Sequence, residues 1–125
     1  MGYEVLIKNY SNNPSQKHIA EVAINHLKLR KAEEGTIEIE LVSAAKIQKI
    51  NNKFRKIDSP TNVLSFPVAD VPAPKQKPKT KLYGTIFLSC DIIKLNAEES
   101  GKPFMDEFDF ILAHGIDHLL GIHHE

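Results

Sequence analysis

Four of the six histidines in this 125-residue chain fall within residues 113–124, near its end. His114 and His118 are four residues apart, a spacing that places two side chains on one helix face, so both imidazoles can reach one ion. Gly121 can adopt a left-handed conformation, and the resulting turn would bring His124 back to the same ion. We therefore predict a three-histidine metal site formed by His114, His118 and His124, and we expect zinc.

The chemistry of such a site is hydrolytic. Three neutral imidazoles leave one coordination position open, and zinc held in this way lowers the pKa of a bound water to about 7. The spacing H-x3-H-x5-H is also that of the metzincin proteases, which need a glutamate directly after the first histidine as general base. This chain has Gly115 there, and Asp117 reads as a solvated helix acid on another face. Protease chemistry is therefore the weaker interpretation.

Two points about this site stay open at the level of sequence, the third ligand and the identity of the metal, and one alternative is disfavoured. His123 is adjacent to His124 and is an alternative third ligand, although the spacing favours His124. Three histidines also accept divalent ions other than zinc. A histidine-rich tail without function is disfavoured, because tag histidines run consecutively whereas these lie in an amphipathic helix ended by glycine.

Hydrophobic periodicity predicts the elements that must position these residues. Alternation of apolar and polar residues over 36–42 indicates a half-buried strand, and apolar residues at helical spacing after residue 104 indicate a long final helix. Ser43 is a plausible N-cap for a helix over 44–53. The full prediction is strands at 3–7, 36–42, 63–66 and 82–89, and helices from 14 to Gly35, 44–53, 91–99 and 104 to Gly121. This order predicts a single α+β domain over residues 1–125, with a mixed four-stranded sheet covered by helices and the metal site at the C-terminal helix.

Composition limits the class of protein. The hydrophobic fraction of 42% is ordinary for a globular protein. No apolar run approaches the roughly 20 residues that cross a bilayer, and the first residues do not resemble a secretory signal. Cys90 is the only cysteine, which excludes an internal disulfide, and we expect it to be a buried core thiol rather than a nucleophile. We expect a cytoplasmic protein with no membrane partner.

The charge distribution is uneven although the formal net charge is zero. Residues 46–81 contain nine cations and two acids, a net charge of +7 that the rest of the chain balances. A positive surface of this kind would attract a phosphate backbone. The alternative is a set of solvated lysines that keep a loop soluble.

Three segments of the chain resemble the YbeY family of bacterial endoribonucleases and rRNA maturation factors. The C-terminal segment is similar to the family pattern H-G-x-L-H-L-x-G-Y-D-H, and residues 52–67 are similar to N-x-x-[aromatic]-R-x-x-D-x-x-T-D-V-L-S-F-P. Residues 83–89 are similar to the G-D-I-x-I-S strand. The motifs occur in the family's order and cover essentially the whole chain. The chain departs from the patterns at Asn62 and Thr85, each in place of a family aspartate, at Asp117 in place of leucine, and at Ile122-His123 in place of Tyr-Asp.

The resemblance implies a zinc-dependent, single-strand-specific endoribonuclease that matures the 3′ end of 16S rRNA and takes part in ribosome quality control on the small subunit. It places Arg55 at the active cleft, where a guanidinium can hold a phosphate through two parallel hydrogen bonds. It implies that the segments around Asn62, Thr85 and His123 lie near the metal, so their missing carboxylates would alter its surroundings. Two other functions stay open: a metal-dependent hydrolase of peptides or small molecules, and a non-catalytic, ribosome-associated RNA-binding factor.

Overall fold

The order of helices and strands matches the sequence prediction. A computed structural model describes residues 2–9, 13–68 and 81–122. Its elements are β1 (Glu4–Lys8), α1 (Gln16–Leu29), β2 (Thr36–Leu41), α2 (Ala44–Arg55), β3 (Val63–Pro67), β4 (Leu82–Leu88), α3 (Cys90–Ser100) and α4 (Phe104–Leu119). None of the helices in these ranges combines the length and apolar character needed to cross a membrane.

The strands of the described ranges form a four-stranded sheet in the order β1-β2-β4-β3. β1 and β4 both run parallel to β2, whereas β3 pairs with β4 in the antiparallel direction. The sheet is therefore mixed, as predicted. Its antiparallel strand β3 lies at an edge, next to the segment that carries Arg55.

The sheet separates two apolar layers. The larger layer packs α1 and α4 against one face and includes Leu27, Ile86 and Phe108, all fully buried. The smaller layer lies under α2 on the other face, where Ile47 packs with Phe66. Because α4 belongs to the larger layer, the residues of β3 and β4 that point to that face determine what surrounds its histidines.

Serine caps fix the starts of two helices, and the first helix ends earlier than predicted. Ser43 Oγ accepts a hydrogen bond of 3.1 Å from the Lys46 amide, which confirms Ser43 as the N-cap of α2.

The prediction that α1 continues to Gly35 is wrong, since the helix ends at Leu29. Lys31 takes a left-handed conformation with φ of 56°, and the Ala32 amide bonds back to the Leu27 carbonyl at 3.0 Å. This is a Schellman turn, which closes a helix without glycine.

Candidate functional site

The last turns of α4 bring the two predicted helical ligands together. His114 and His118 lie one turn apart, with their Nε2 atoms separated by 3.3 Å. The helix ends at Leu119, and Gly121 follows with φ of 80°, the left-handed turn that the sequence predicts. His123 and His124 lie outside the described residues, so His124 as third ligand stays a prediction.

The histidine pair has the separation that a zinc ion requires. Zn–N bonds of about 2.0–2.1 Å in a tetrahedral site hold neighbouring ligand atoms about 3.3–3.4 Å apart. The Nε2 atoms of His114 and His118 have this spacing. No cluster of three or more His, Cys, Asp or Glu side chains suited to a metal occurs within residues 2–9, 13–68 and 81–122. These ranges therefore supply two ligands, and a complete three-histidine site needs a third from outside them, predicted to be His124 with His123 as the alternative.

The histidine pair opens onto a cleft of about 710 Å³ between α4, β3 and the end of α2. The cleft brings the predicted site residues Arg55, His114 and His118 together, although they come from distant parts of the chain. Its complete lining is Arg55, Thr61, Asn62, Val63, Leu64, Ser65, Pro67, Phe110, Ile111, His114 and His118. It combines a cation, imidazoles and an aromatic ring with neutral polar groups.

Close packing at Gly115 positions α4 against the sheet beneath the histidines. A Cβ atom at this position would lie 3.1 Å from Ser65 Oγ and 3.3 Å from methyl groups of Val63 and Ile86. Ser65 Oγ also donates a 3.1 Å hydrogen bond to the Gly115 carbonyl. From the sequence alone, Gly115 shows only that the glutamate of a zinc protease is absent. Its packing role becomes visible only when the partner strand is known.

Arg55 forms part of the cleft wall at the end of α2. Its Nη2 donates a 3.1 Å hydrogen bond to the Ser65 carbonyl, and its Cζ lies 4.9 Å from the centroid of the Phe66 ring. The side chain is exposed. A guanidinium has five N–H donors, and this bond uses one. The anchored and exposed group is therefore suited to hold an anion in the cleft.

The two positions that lack a family aspartate differ in location. Asn62 lines the cleft, and its Nδ2 donates a 2.9 Å hydrogen bond to Asn96 Oδ1. Thr85 does not line the cleft. Ile86 points toward α4, and side chains alternate along a strand, so Thr85 faces the opposite side of the sheet. There its hydroxyl donates a 3.0 Å hydrogen bond to Glu38 Oε1.

Asp117 is buried, which corrects its interpretation as a solvated acid. Its relative exposure is 2%, and it faces α1. Arg30 donates to both carboxylate oxygens, at 2.9 and 2.8 Å, and His26 Nε2 lies 2.7 Å from Oδ1. Hydrogen bonding to Asp117 raises the pKa of Arg30. His26 and Arg30 are four residues apart on α1, a helical spacing that could have indicated a shared partner.

This buried cluster predicts a stability effect. Asp117→Asn keeps the side-chain shape but removes the negative charge that the bidentate arginine requires. We expect the free energy of unfolding to fall by about 1.5–3 kcal/mol, the range for hydrogen bonds to charged groups, in urea unfolding followed by circular dichroism. Asp109→Asn is the matched control on the same helix, because its 2.8 Å pair with His18 is about one-third exposed and should contribute less than about 1 kcal/mol. Equal losses in both variants would contradict this assignment.

Cys90 is half-buried rather than fully buried. Burial raises the pKa of its thiol, and the negative charge of Asp91 raises it further. The thiol is therefore protonated at neutral pH, which agrees with the prediction that Cys90 is not a nucleophile.

The fold and the cleft together define an α+β domain with a histidine pair and an arginine in one cavity. The family model described as Endoribonuclease YbeY matches residues 6–125. The chain belongs to the YbeY family, which confirms the resemblance inferred from its motifs.

Individual relatives agree with this family membership. A protein of Persephonella marina named Endoribonuclease YbeY is 38% identical over 109 residues, covering 87% of this chain and 67% of the relative. One of Aliarcobacter butzleri with the same name is 40% identical over 93 residues, covering 71% of this chain and 60% of the relative. The chain thus spans about two thirds or less of the length of these relatives. The solution structure of TM1509 from Thermotoga maritima is 29% identical, with a TM-score of 0.65, and the match covers 97% of this chain and 75% of that one.

Proposed function

We propose that this protein is a metal-dependent endoribonuclease that cleaves single-stranded RNA. In this proposal His114, His118 and His124 hold one divalent ion, expected to be zinc. The observation that carries the proposal is the cleft shared by Arg55 and the histidine pair, because phosphodiester cleavage needs a phosphate anchor beside a metal. The names of the relatives support the same reaction.

The residues of the cleft have separable roles in this proposal. Arg55 binds a nonbridging phosphate oxygen through charge-assisted hydrogen bonds and offsets the negative charge that builds up at phosphorus. Ser65 does not contact substrate; its hydroxyl is bonded to the Gly115 carbonyl and positions α4. A divalent ion, when bound, supplies Lewis acidity and an activated oxygen nucleophile at neutral pH. His114 and His118, which line the cleft, would hold it together with His124.

The proposal extends to the biological substrate. We propose 16S rRNA near its 3′ end as the substrate and the small ribosomal subunit as the partner, with a role in ribosome quality control, as the family resemblance implies. The excess of cations in residues 46–81 supports a polyanionic substrate. A cytoplasmic location completes the proposal, and the lone, unpaired Cys90 suits a reducing compartment.

Cleavage of a labelled single-stranded RNA by purified protein of measured metal content tests the reaction. We expect chelation to abolish cleavage and added Zn²⁺ to restore it. Arg55→Ala is expected to lower cleavage by about 10²–10³-fold at unchanged metal content, the range for losing a donor that stabilises transition-state charge. Lys28→Ala, an exposed cation in the last turn of α1 that lies outside both residues 46–81 and the cleft lining, should stay near the wild-type rate. Full activity in metal-free protein would overturn the proposal.

A non-catalytic RNA-binding factor is the second candidate. The observation that favours it is Asn62, which lines the cleft with an amide where the family pattern has a carboxylate. This candidate predicts salt-dependent RNA binding with the RNA left intact at every metal concentration. The same assay therefore distinguishes the two functions.

A further inference from the structure

An exposed aromatic ring lies beside the histidine pair. Phe110 lies one helical turn before His114 and has a relative exposure of 59%, whereas Phe108 on the same helix is fully buried. The Phe110 ring lies nearly parallel to the His114 imidazole, at 24°, with centroids 6.3 Å apart. It also lines the cleft. A phenylalanine with this exposure contributes little to the core, and its ring in a cleft with both polar and apolar lining is suited to a ligand with a flat face.

Cations accompany the exposed rings around the cleft. Lys102 Nζ lies 5.5 Å from the centroid of Phe110, and this lysine side chain is itself 55% exposed. Next to Arg55 in the sequence but outside the cleft lining, Lys53 Nζ lies 5.3 Å from the ring of Phe54, which is 47% exposed. Aromatic rings next to exposed cations match the bases and phosphates of a single-stranded nucleic acid.

We propose that Phe110 is the base-binding site for the nucleotide adjacent to the cleaved phosphate. This inference rests on the proposed function and names how the substrate is held. The nucleobase stacks on the exposed part of the Phe110 ring, and its phosphate extends toward Arg55 across the cleft. Lys102, which also lies 3.8 Å from Glu107 Oε1, supplies positive charge beside the ring.

The site has two consequences for specificity. Stacking is tolerant of sequence, because every base presents a π face. It also requires an unpaired base, because the bases of an RNA duplex are already stacked on each other. Phe110 therefore selects single-stranded segments without selecting a sequence.

Equilibrium binding of a fluorescent, 2′-O-methylated single-stranded RNA, measured by anisotropy and checked for intactness afterwards, tests this site. Phe110→Ala is expected to bind about tenfold more weakly, within the range for losing one base–aromatic stack. Phe110→Trp should retain wild-type affinity. Leu29→Ala is the matched control, because Leu29 is 71% exposed on α1 and does not line the cleft. Metal content is measured for each variant, since Phe110 neighbours His114.

A series of probes, each lacking one base at a different position, gives the sharper measurement. Wild-type protein should bind one probe more weakly than the others, namely the probe that lacks the base stacked on Phe110. Phe110→Ala should bind that probe as well as it binds the others. Identical profiles for the two proteins, or equal affinities of Phe110→Ala and Leu29→Ala, would overturn the inference. If wild-type protein shows the position-dependent loss but cleaves no RNA, the nuclease proposal fails and the base site stands. If wild-type protein cleaves RNA and Phe110→Ala is unchanged, the base site fails and the nuclease stands.

Discussion

Replacing His118 with alanine is expected to abolish metal-dependent RNA cleavage and to weaken zinc binding by more than about 100-fold. Loss of a residue that only supports a metal ligand costs about 10- to 100-fold in affinity or activity, so loss of a ligand should exceed that range. His118 lies on the exposed side of α4, so we expect the fold to survive the change. The 3.3 Å separation of the two Nε2 atoms is the geometry that the substitution removes.

Competition with a zinc-binding dye measures this affinity, and circular dichroism confirms that the variant is folded. His18→Ala is the matched control, because it removes an imidazole from α1 that pairs with Asp109 and does not line the cleft. It should bind zinc and cleave RNA as the wild-type protein does. Wild-type zinc affinity in His118→Ala would refute the histidine site.

Gly84→Ala is expected to destabilise the protein by about 4 kcal/mol or more, a large fraction of the stability of a typical domain. Gly84 lies in β4 with φ of 150°, a conformation that side chains rarely adopt. A Cβ atom there would overlap the Phe66 carbonyl oxygen and lie 2.9 Å from Pro67 Cα. Both contacts are with the backbone of β3, which cannot move without breaking its pairing with β4. The substitution therefore disrupts the strand that forms the cleft.

Thermal and urea unfolding of Gly84→Ala measure this effect, with Gly101→Ala as the control. Gly101 also has a left-handed φ, of 69°, but nothing lies within 4 Å of the position that a Cβ atom would take there. Its substitution should cost only the conformational strain of about 1–2 kcal/mol. Similar losses in the two variants would show that strain alone, rather than the close approach of β3, makes Gly84 necessary.

Much of the fold could be predicted from sequence because its signals are local. Apolar alternation in β2 and helical spacing in α4 each lie within one segment, and the Ser43 cap lies three residues from its partner. The four-residue spacing of His114 and His118 is also a local signal, because both residues lie within one helix. These predictions do not depend on how segments pack.

The errors concern partners that lie far apart in sequence. Asp117 reads as solvated because no local feature shows that Arg30, 87 residues away, packs against it. The side chain of Thr85 could not be placed from the resemblance, because only the strand register shows that it bonds to Glu38 on the other face of the sheet. Arg55 could be placed in the cleft only through the family resemblance. Helical spacing leaves Phe110 off the apolar face of α4, but only the structure shows that its exposed ring lines the cleft.

The position of β3 at an edge of the described sheet has a consequence for self-association. An edge strand offers backbone groups that can pair with a strand of another molecule and start aggregation. Here the Arg55 side chain bonds the Ser65 carbonyl, and Pro67 ends the strand without an amide hydrogen. The arginine that suits a phosphate thus also occupies one backbone acceptor of this edge strand, which leaves one fewer group with which a second copy of the chain could pair.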